Sequence, residues 1–246
     1  MAKKKKKVTT VTTTVTKTEY LSTNEKTHII CILDRSGSMS SIMDDSIGGF
    51  NMFLKQQRDL PDEATISVAL FDDKYELIYD NVDIKEAKDL TKEIWYPRGT
   101  TALYDAICKT INGEKAKLAK LGNEAPAKVL VCIVTDGYEN ASRENTQDHT
   151  KSLIKQCEKD DWNFVYLAAG QDAFSVGQSF GMSVGNTLNY TASADGVFTM
   201  SSQLSDVTTS YRSMSSSDAN FKTKSKKLIN DDDVNIITTN NTLTNN

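Results

Sequence analysis

Apolar residues run without a break through positions 29–33 (IICIL) and 129–134 (VLVCIV), and nearly so through 162–169 (WNFVYLAA). Such runs, rich in β-branched side chains, belong to strands covered on both faces, as in a parallel sheet. Residues 65–72 (TISVALFD) predict another strand and 75–82 one more. Asp72, Asp73 and Lys74 form a tight turn between them, which puts an antiparallel strand at the sheet edge. Either aspartate could also be read as a metal ligand, although the turn explains both more simply. Elsewhere the period changes. Ile42, Met43, Ile47, Phe50, Phe53 and Leu54 recur at three- and four-residue steps, predicting an amphipathic helix over 41–59. Helices are also expected over 102–120, 145–159 and 195–215, the last with Val197, Met200, Leu204, Val207 and Tyr211 on one stripe. A short helix is expected at 173–181, an edge strand at 184–190, and a charged helix or loop at 84–93. Gly48 and Gly49 lie inside the first helix against their propensity, which predicts a close helix–sheet contact. Strands alternating with helices predict an α/β fold over residues 27–215. It is Rossmann-like, with a mostly parallel central sheet, one antiparallel edge strand and helices on both faces.

The two ends fall outside this pattern. Residues 3–7 are all lysine, and 8–18 mix Thr and Val. We expect residues 1–26 to form a flexible arm, with an anchor to an anionic surface or an added edge strand as competing readings. Residues 216–246 are mostly Ser, Lys, Asn, Asp and Thr and read as a disordered polar tail. The 246-residue chain carries a net charge of −4, which argues against a general nucleic-acid binder. It contains no apolar stretch of transmembrane length and no apolar leader at its start. Of four cysteines, Cys31 and Cys132 lie inside apolar strand runs, and no pair has metal or redox spacing. Reduced thiols and a cytoplasmic location follow as expectations. The sequons at Asn140, Asn189 and Asn240 then have no consequence.

The chemistry lies where strand runs end. The first run passes into Asp34-Arg35-Ser36-Gly37-Ser38-Met39-Ser40. Asp34 falls at the strand's carboxyl end, where open α/β sheets bind ligands. Asp34, Ser36 and Ser38 alternate, and Gly37 lets the loop curl. One carboxylate and two hydroxyls aimed at one point are hard oxygen donors, suited to Mg²⁺ or Mn²⁺ and not to zinc.

DRSGSMS resembles the Asp-x-Ser-x-Ser signature of von Willebrand factor A (vWA) domains, which opens that family's metal-ion-dependent adhesion site (MIDAS). Two later segments extend the resemblance in order. In RGTTALYDAI the family places a Thr that ligates the metal at the start of a helix. Alignment through Ala-Leu-Tyr-Asp-Ala assigns this role to Thr101, with Thr100 where a second Gly is common. A threonine at a helix start also serves as an N-cap, and the two roles are compatible. In Thr135-Asp136-Gly137 the family carries an Asp, again at a strand's carboxyl end. The resemblance therefore implies an intracellular-type vWA domain with an intact site of Asp34, Ser36, Ser38, Thr101 and Asp136. Mg²⁺ seldom has all its positions filled by protein, so a vacancy remains. In the family a partner protein's Asp or Glu carboxylate fills it. Arg35, Met39, Arg98, Tyr138 and Glu139 are expected on the rim, and Asn140 continues it. The resemblance also implies work beside an ATPase or in a stress-response complex.

Two rival classes remain. An open Mg²⁺ site could serve a hydrolase or phosphatase. Yet His28 lies at the far end of its strand, and His149 lies in a helix without triad companions. Gly177-Gln178-Ser179-Phe180-Gly181 fits G-x-S-x-G but follows a short helix rather than a buried strand. No P-loop or dinucleotide fingerprint occurs, so we expect no enzyme. In the third class, a structural subunit, the metal only rigidifies the loops.

Overall fold

A computed structural model of the chain describes residues 20–169 and 172–229. In chain order the elements are β1 (Thr27–Asp34), α1 (Met43–Arg58), β2 (Ala64–Phe71), β3 (Tyr75–Asp83), α2 (Leu103–Leu121) and β4 (Lys128–Thr135). There follow α3 (Gln147–Lys159), β5 (Trp162–Ala169), α4 (Ala173–Phe180), β6 (Thr187–Tyr190), α5 (Ala194–Ser213) and α6 (Phe221–Lys224). The strands form one six-stranded sheet in the order β3-β2-β1-β4-β5-β6. Every neighbouring pair is parallel except β2 with β3. The expected α/β architecture, with its antiparallel edge, is therefore the observed one.

Burial explains the unbroken apolar runs. β1, β2, β4 and β5 are buried at every position. Ile29, Cys31 and Leu33 pack into one core with Phe50 and Phe53 of α1 and Val197, Leu204 and Tyr211 of α5. Ile30 and Ile32 enter a second core with Ile107 and Ile111 of α2, Ile154 of α3 and Phe180 of α4. Each strand thus needs apolar side chains on both faces. From β1 the chain builds outward through β2 and β3, then returns to place β4 on β1's other side. The crevice at the carboxyl ends of β1 and β4 is therefore a topological switch point.

Three expectations are corrected. Gly49 makes close contact with Ser201 and Val197 of α5, so the tight approach is between helices and not between helix and sheet. A side chain there would strike Ser201, whereas Gly48 faces open space. Of the helix or loop expected over 84–93, the structure shows the loop, which buries Ile84, Ala87 and Leu90. The strand expected from 184 begins at Thr187, after a 3₁₀ turn. The packed unit also extends past both expected boundaries. Phe221, Leu228 and Ile229 are buried in the first core, and Tyr20 and Thr23 bond Asp62. The Lys/Thr arm before residue 20 and the tail after 229 lie outside the described residues. No helix among the described residues is long and apolar enough to cross a membrane.

Candidate metal centre

β1 and β4 run side by side with Leu33 beside Val134, so Asp34 and Thr135 end the pair together. Asp34 is fully buried. Its Oδ1 accepts from the Ser36 backbone N–H at 2.6 Å, and its Oδ2 accepts from the Thr135 hydroxyl at 2.6 Å. The Ser36 and Ser38 hydroxyls are 3.0 Å apart, and Ser38 donates to Asp136 Oδ1 at 2.6 Å. Gly137 marks where the donors meet. A Cβ built there would lie 3.2 Å from Thr101 Oγ1, 3.4 Å from Ser38 Oγ and 3.9 Å from Ser36 Oγ. The absence of a side chain at Gly137 keeps that space open. Asp34, Ser36, Ser38, Thr101 and Asp136, drawn from three loops, are thus brought together.

Thr101 is buried, whereas Thr100 is exposed and lines a polar cleft of about 460 Å³ with Asp73, Asp105 and Asn140. Neither caps α2. The N-cap position is Ala102, without a side-chain bond. Glu139 and Ser142 cap the helix from the third loop instead, accepting from Tyr104 N at 3.0 Å and Asp105 N at 3.1 Å. The Thr101 hydroxyl is free of that duty. Asn140 Oδ1 accepts from Thr101 N at 2.9 Å and ties the second loop to the third.

Burial pushes the Asp34 carboxyl up to about 6, against hydrogen bonds from Thr135 and Ser36 that lower it, and Asp136 nearby raises it further. Burial also raises Asp136, opposed by the Ser38 hydroxyl. No salt bridge among the described residues reaches either carboxylate. The described residues hold no cluster of three or more His, Cys, Asp or Glu side chains fit for a metal. The donor set here is of another kind: two carboxylates and three hydroxyls. All are hard oxygens, which fits Mg²⁺ or Mn²⁺.

Solved structures share this arrangement of sheet and helices. Proximal thread matrix protein 1 from the mussel byssus, solved with a zinc-occupied MIDAS motif, superposes with a TM-score of 0.52 at 19% identity, over 75% of this chain and 46% of that one. Manganese-loaded TRAP protein of Plasmodium vivax gives 0.52 at 15% identity, over 72% of each chain. A von Willebrand factor type A structure from Catenulispora acidiphila gives 0.52 at 14% identity, over 74% of this chain and 42% of that one. The fold is that of a von Willebrand factor A domain. This chain spans less than half the length of the mussel protein. No protein-family model and no curated protein matches it significantly.

Around the vWA crevice, the expected rim divides. Arg35 and Met39 are buried and are no part of a surface. Met39 packs into the first core from the 3₁₀ turn Gly37–Ser41, which also separates the Ser loop from the start of α1. Arg35 turns inward, its Nη1 donating to Glu76 at 2.8 Å and its Nε 3.8 Å from Asp72. Glu139 is committed to Tyr104, Ala141 and Ser142. Tyr138 is 61% exposed, and Arg98 is partly exposed. Tyr96, absent from the expected rim, is 42% exposed and lies under the Arg98 guanidinium at 5.4 Å. Thr135 was also missed. Its signal is the pairing of two strands whose apolar runs end at Leu33 and Val134.

Proposed function

We propose that this vWA domain is a divalent-metal-dependent protein-binding module. Asp34, Ser36, Ser38 and Thr101 would hold Mg²⁺ or Mn²⁺, with Asp136 acting directly or through water. When bound, the ion supplies a positive charge that can accept a carboxylate oxygen from a partner protein. The convergence of three hydroxyls and two carboxylates beside Gly137 carries this reading. The manganese in the Plasmodium protein supports it, and the zinc in the mussel protein's MIDAS supports a divalent ion without favouring Mg²⁺ or Mn²⁺. The chain's own residues prepare the site. Thr135 and the Ser36 N–H orient Asp34, Ser38 orients Asp136, and Asn140 holds the Thr101 backbone. Tyr138, Arg98 and Tyr96 would meet the partner. Four buried free thiols support action in a reducing compartment, which we take as the cytoplasm. An ATPase-associated or stress-response complex is the setting we propose for the partner.

The test is affinity capture on the full chain in Mn²⁺, with EDTA elution and an Asp34→Ala control. Specific partners should elute with EDTA and be missing from the Asp34→Ala column. Partners that stay through chelation, or bind the variant equally, would contradict the proposal.

A further inference from the structure

Asp72 does not line the centre beside Gly137, yet two of the loops that build it are anchored to its turn. Its local duty needs only one oxygen. Oδ1 accepts from Lys74 N at 2.6 Å, and Asp72 N donates to Lys74 O at 3.0 Å, closing the β2–β3 turn. The other oxygen is fully buried and faces two cations: Arg98 Nε at 2.5 Å and Arg35 Nε at 3.8 Å. Arg35 belongs to the Asp-x-Ser-x-Ser loop and Arg98 to the segment leading to Thr101. Backbone bonds follow the same plan. Arg35 N donates to Phe71 O at 2.8 Å, Ala102 N to Asp72 O at 2.8 Å, Arg98 N to Arg35 O at 2.7 Å and Gly37 N to Gly99 O at 3.1 Å. Gly99 has φ +66°, and a Cβ there would sit 3.3 Å from Asp72 Cβ and strike the Asp73 carboxylate. The segment before Thr101 therefore lies tight against this turn.

We propose that Asp72 is a positioning residue for the metal centre, holding Thr101 Oγ1 toward Ser36 and Ser38 through its ion pair with Arg98. This inference rests on the metal-site reading above. The shorter contact decides which loop it governs: the charge-assisted bond to Arg98 is a direct one, while that to Arg35 is only an ion pair at longer range. Thr101 is then clamped from both sides, by Asp72 through Arg98 and Ala102, and by Asn140. Asn at position 72 would keep the turn's acceptor and lose the charge that holds Arg98. The Arg98 side chain, 32% exposed, could then swing into solvent.

The experiment is Mn²⁺ calorimetry on the full chain for Asp72→Asn, Arg98→Gln, Thr101→Ala, Asp34→Ala and the double variant Asp72→Asn/Thr101→Ala. Losing a partner behind a metal ligand weakens affinity by roughly 10–100-fold, and we expect the lower end for Asp72→Asn and Arg98→Gln. In the Thr101→Ala background, Asp72→Asn should add almost nothing, because its action passes through that hydroxyl. A purely structural role would leave Mn²⁺ affinity unmoved or add fully in the double variant, and either result overturns the proposal. Should Asp72→Asn fail to fold, Arg98→Gln decides alone. If Asp34→Ala and Thr101→Ala also bind Mn²⁺ like the parent, the metal-site reading itself falls. If they lose binding while Asp72→Asn and Arg98→Gln do not, only the positioning role falls.

Discussion

The two ends of the sheet bury charge in opposite ways. At the amino end, protein answers protein. His28 sits between Thr65 at 2.8 Å and Glu114 at 3.1 Å. Lys128 donates to the carbonyls of Arg212 at 2.6 Å and Met214 at 2.7 Å. Arg212 donates to the carbonyls of Gln57 and Asp62, each at 2.7 Å. At the carboxyl end, Asp34 and Asp136 accept from hydroxyls and a backbone N–H, while the adjacent cation, Arg35, points to Asp72 and Glu76. An ion taken out of water costs several kcal/mol unless it is answered. The amino end meets that cost within the fold. The carboxyl end leaves two acids raised by burial, a charge that a cation from outside can answer. Buried charge alone therefore does not mark a site: Asp62, buried at the amino end, is held down by its hydrogen bonds, whereas Asp34 and Asp136 are neighbours that burial raises, with no ion pair to either.

Substitutions at both ends test this contrast. Asp34→Ala should remove measurable Mn²⁺ binding in calorimetry. It should shift the metal-free melting temperature little, since relief of a buried acid offsets two lost hydrogen bonds. Large destabilisation by this variant would make the two ends alike. Lys128→Met should do the reverse. It orphans the Met214 carbonyl and leaves that of Arg212 only the Thr23 hydroxyl at 3.4 Å, a loss of roughly 1–3 kcal/mol to be read by urea unfolding, with Mn²⁺ affinity unchanged. Thr101→Ala should weaken Mn²⁺ binding about tenfold, the worth of one bond to a charged partner, and Thr100→Ala should not. The opposite order would move the ligand by one residue.

The smallest effect is acid sensitivity at the amino end. Burial raises Asp62, but hydrogen bonds from Ser22, Tyr20 and Thr23 outweigh it and hold the carboxyl down at about 2. A depressed acid stabilises the fold above its unfolded value near 3.9, and that share is lost as pH falls toward 2. Hydrogen exchange at residues 20–25 should therefore accelerate between about pH 4 and pH 2. Asp62→Asn should flatten that dependence; an unchanged profile would show that Asp62 does not hold residues 20–25.

What was legible in the sequence follows from how local each cause is. Strands buried on both faces announce themselves as unbroken apolar runs, so β1, β4 and β5 were plain. Asp34, Ser36 and Ser38 share one short loop, and the spacing shows it. Side-chain direction was not legible. Arg35 looked like a rim residue because its partners, Asp72 and Glu76, are about forty positions away. Met39 lies among polar neighbours but drops into the core through a 3₁₀ turn. Gly49 owes its place to Ser201 on a helix far along the chain. Phe221, Leu228 and Ile229 were hidden in a polar composition that read as tail.

The central claim is that a divalent ion binds beside Gly137. Crystals of the full chain grown with Mn²⁺ and measured near the manganese absorption edge test it most directly. An anomalous peak is expected among Asp34, Ser36, Ser38, Thr101 and Asp136. Manganese bound elsewhere, or an empty crevice at saturating Mn²⁺, would contradict it.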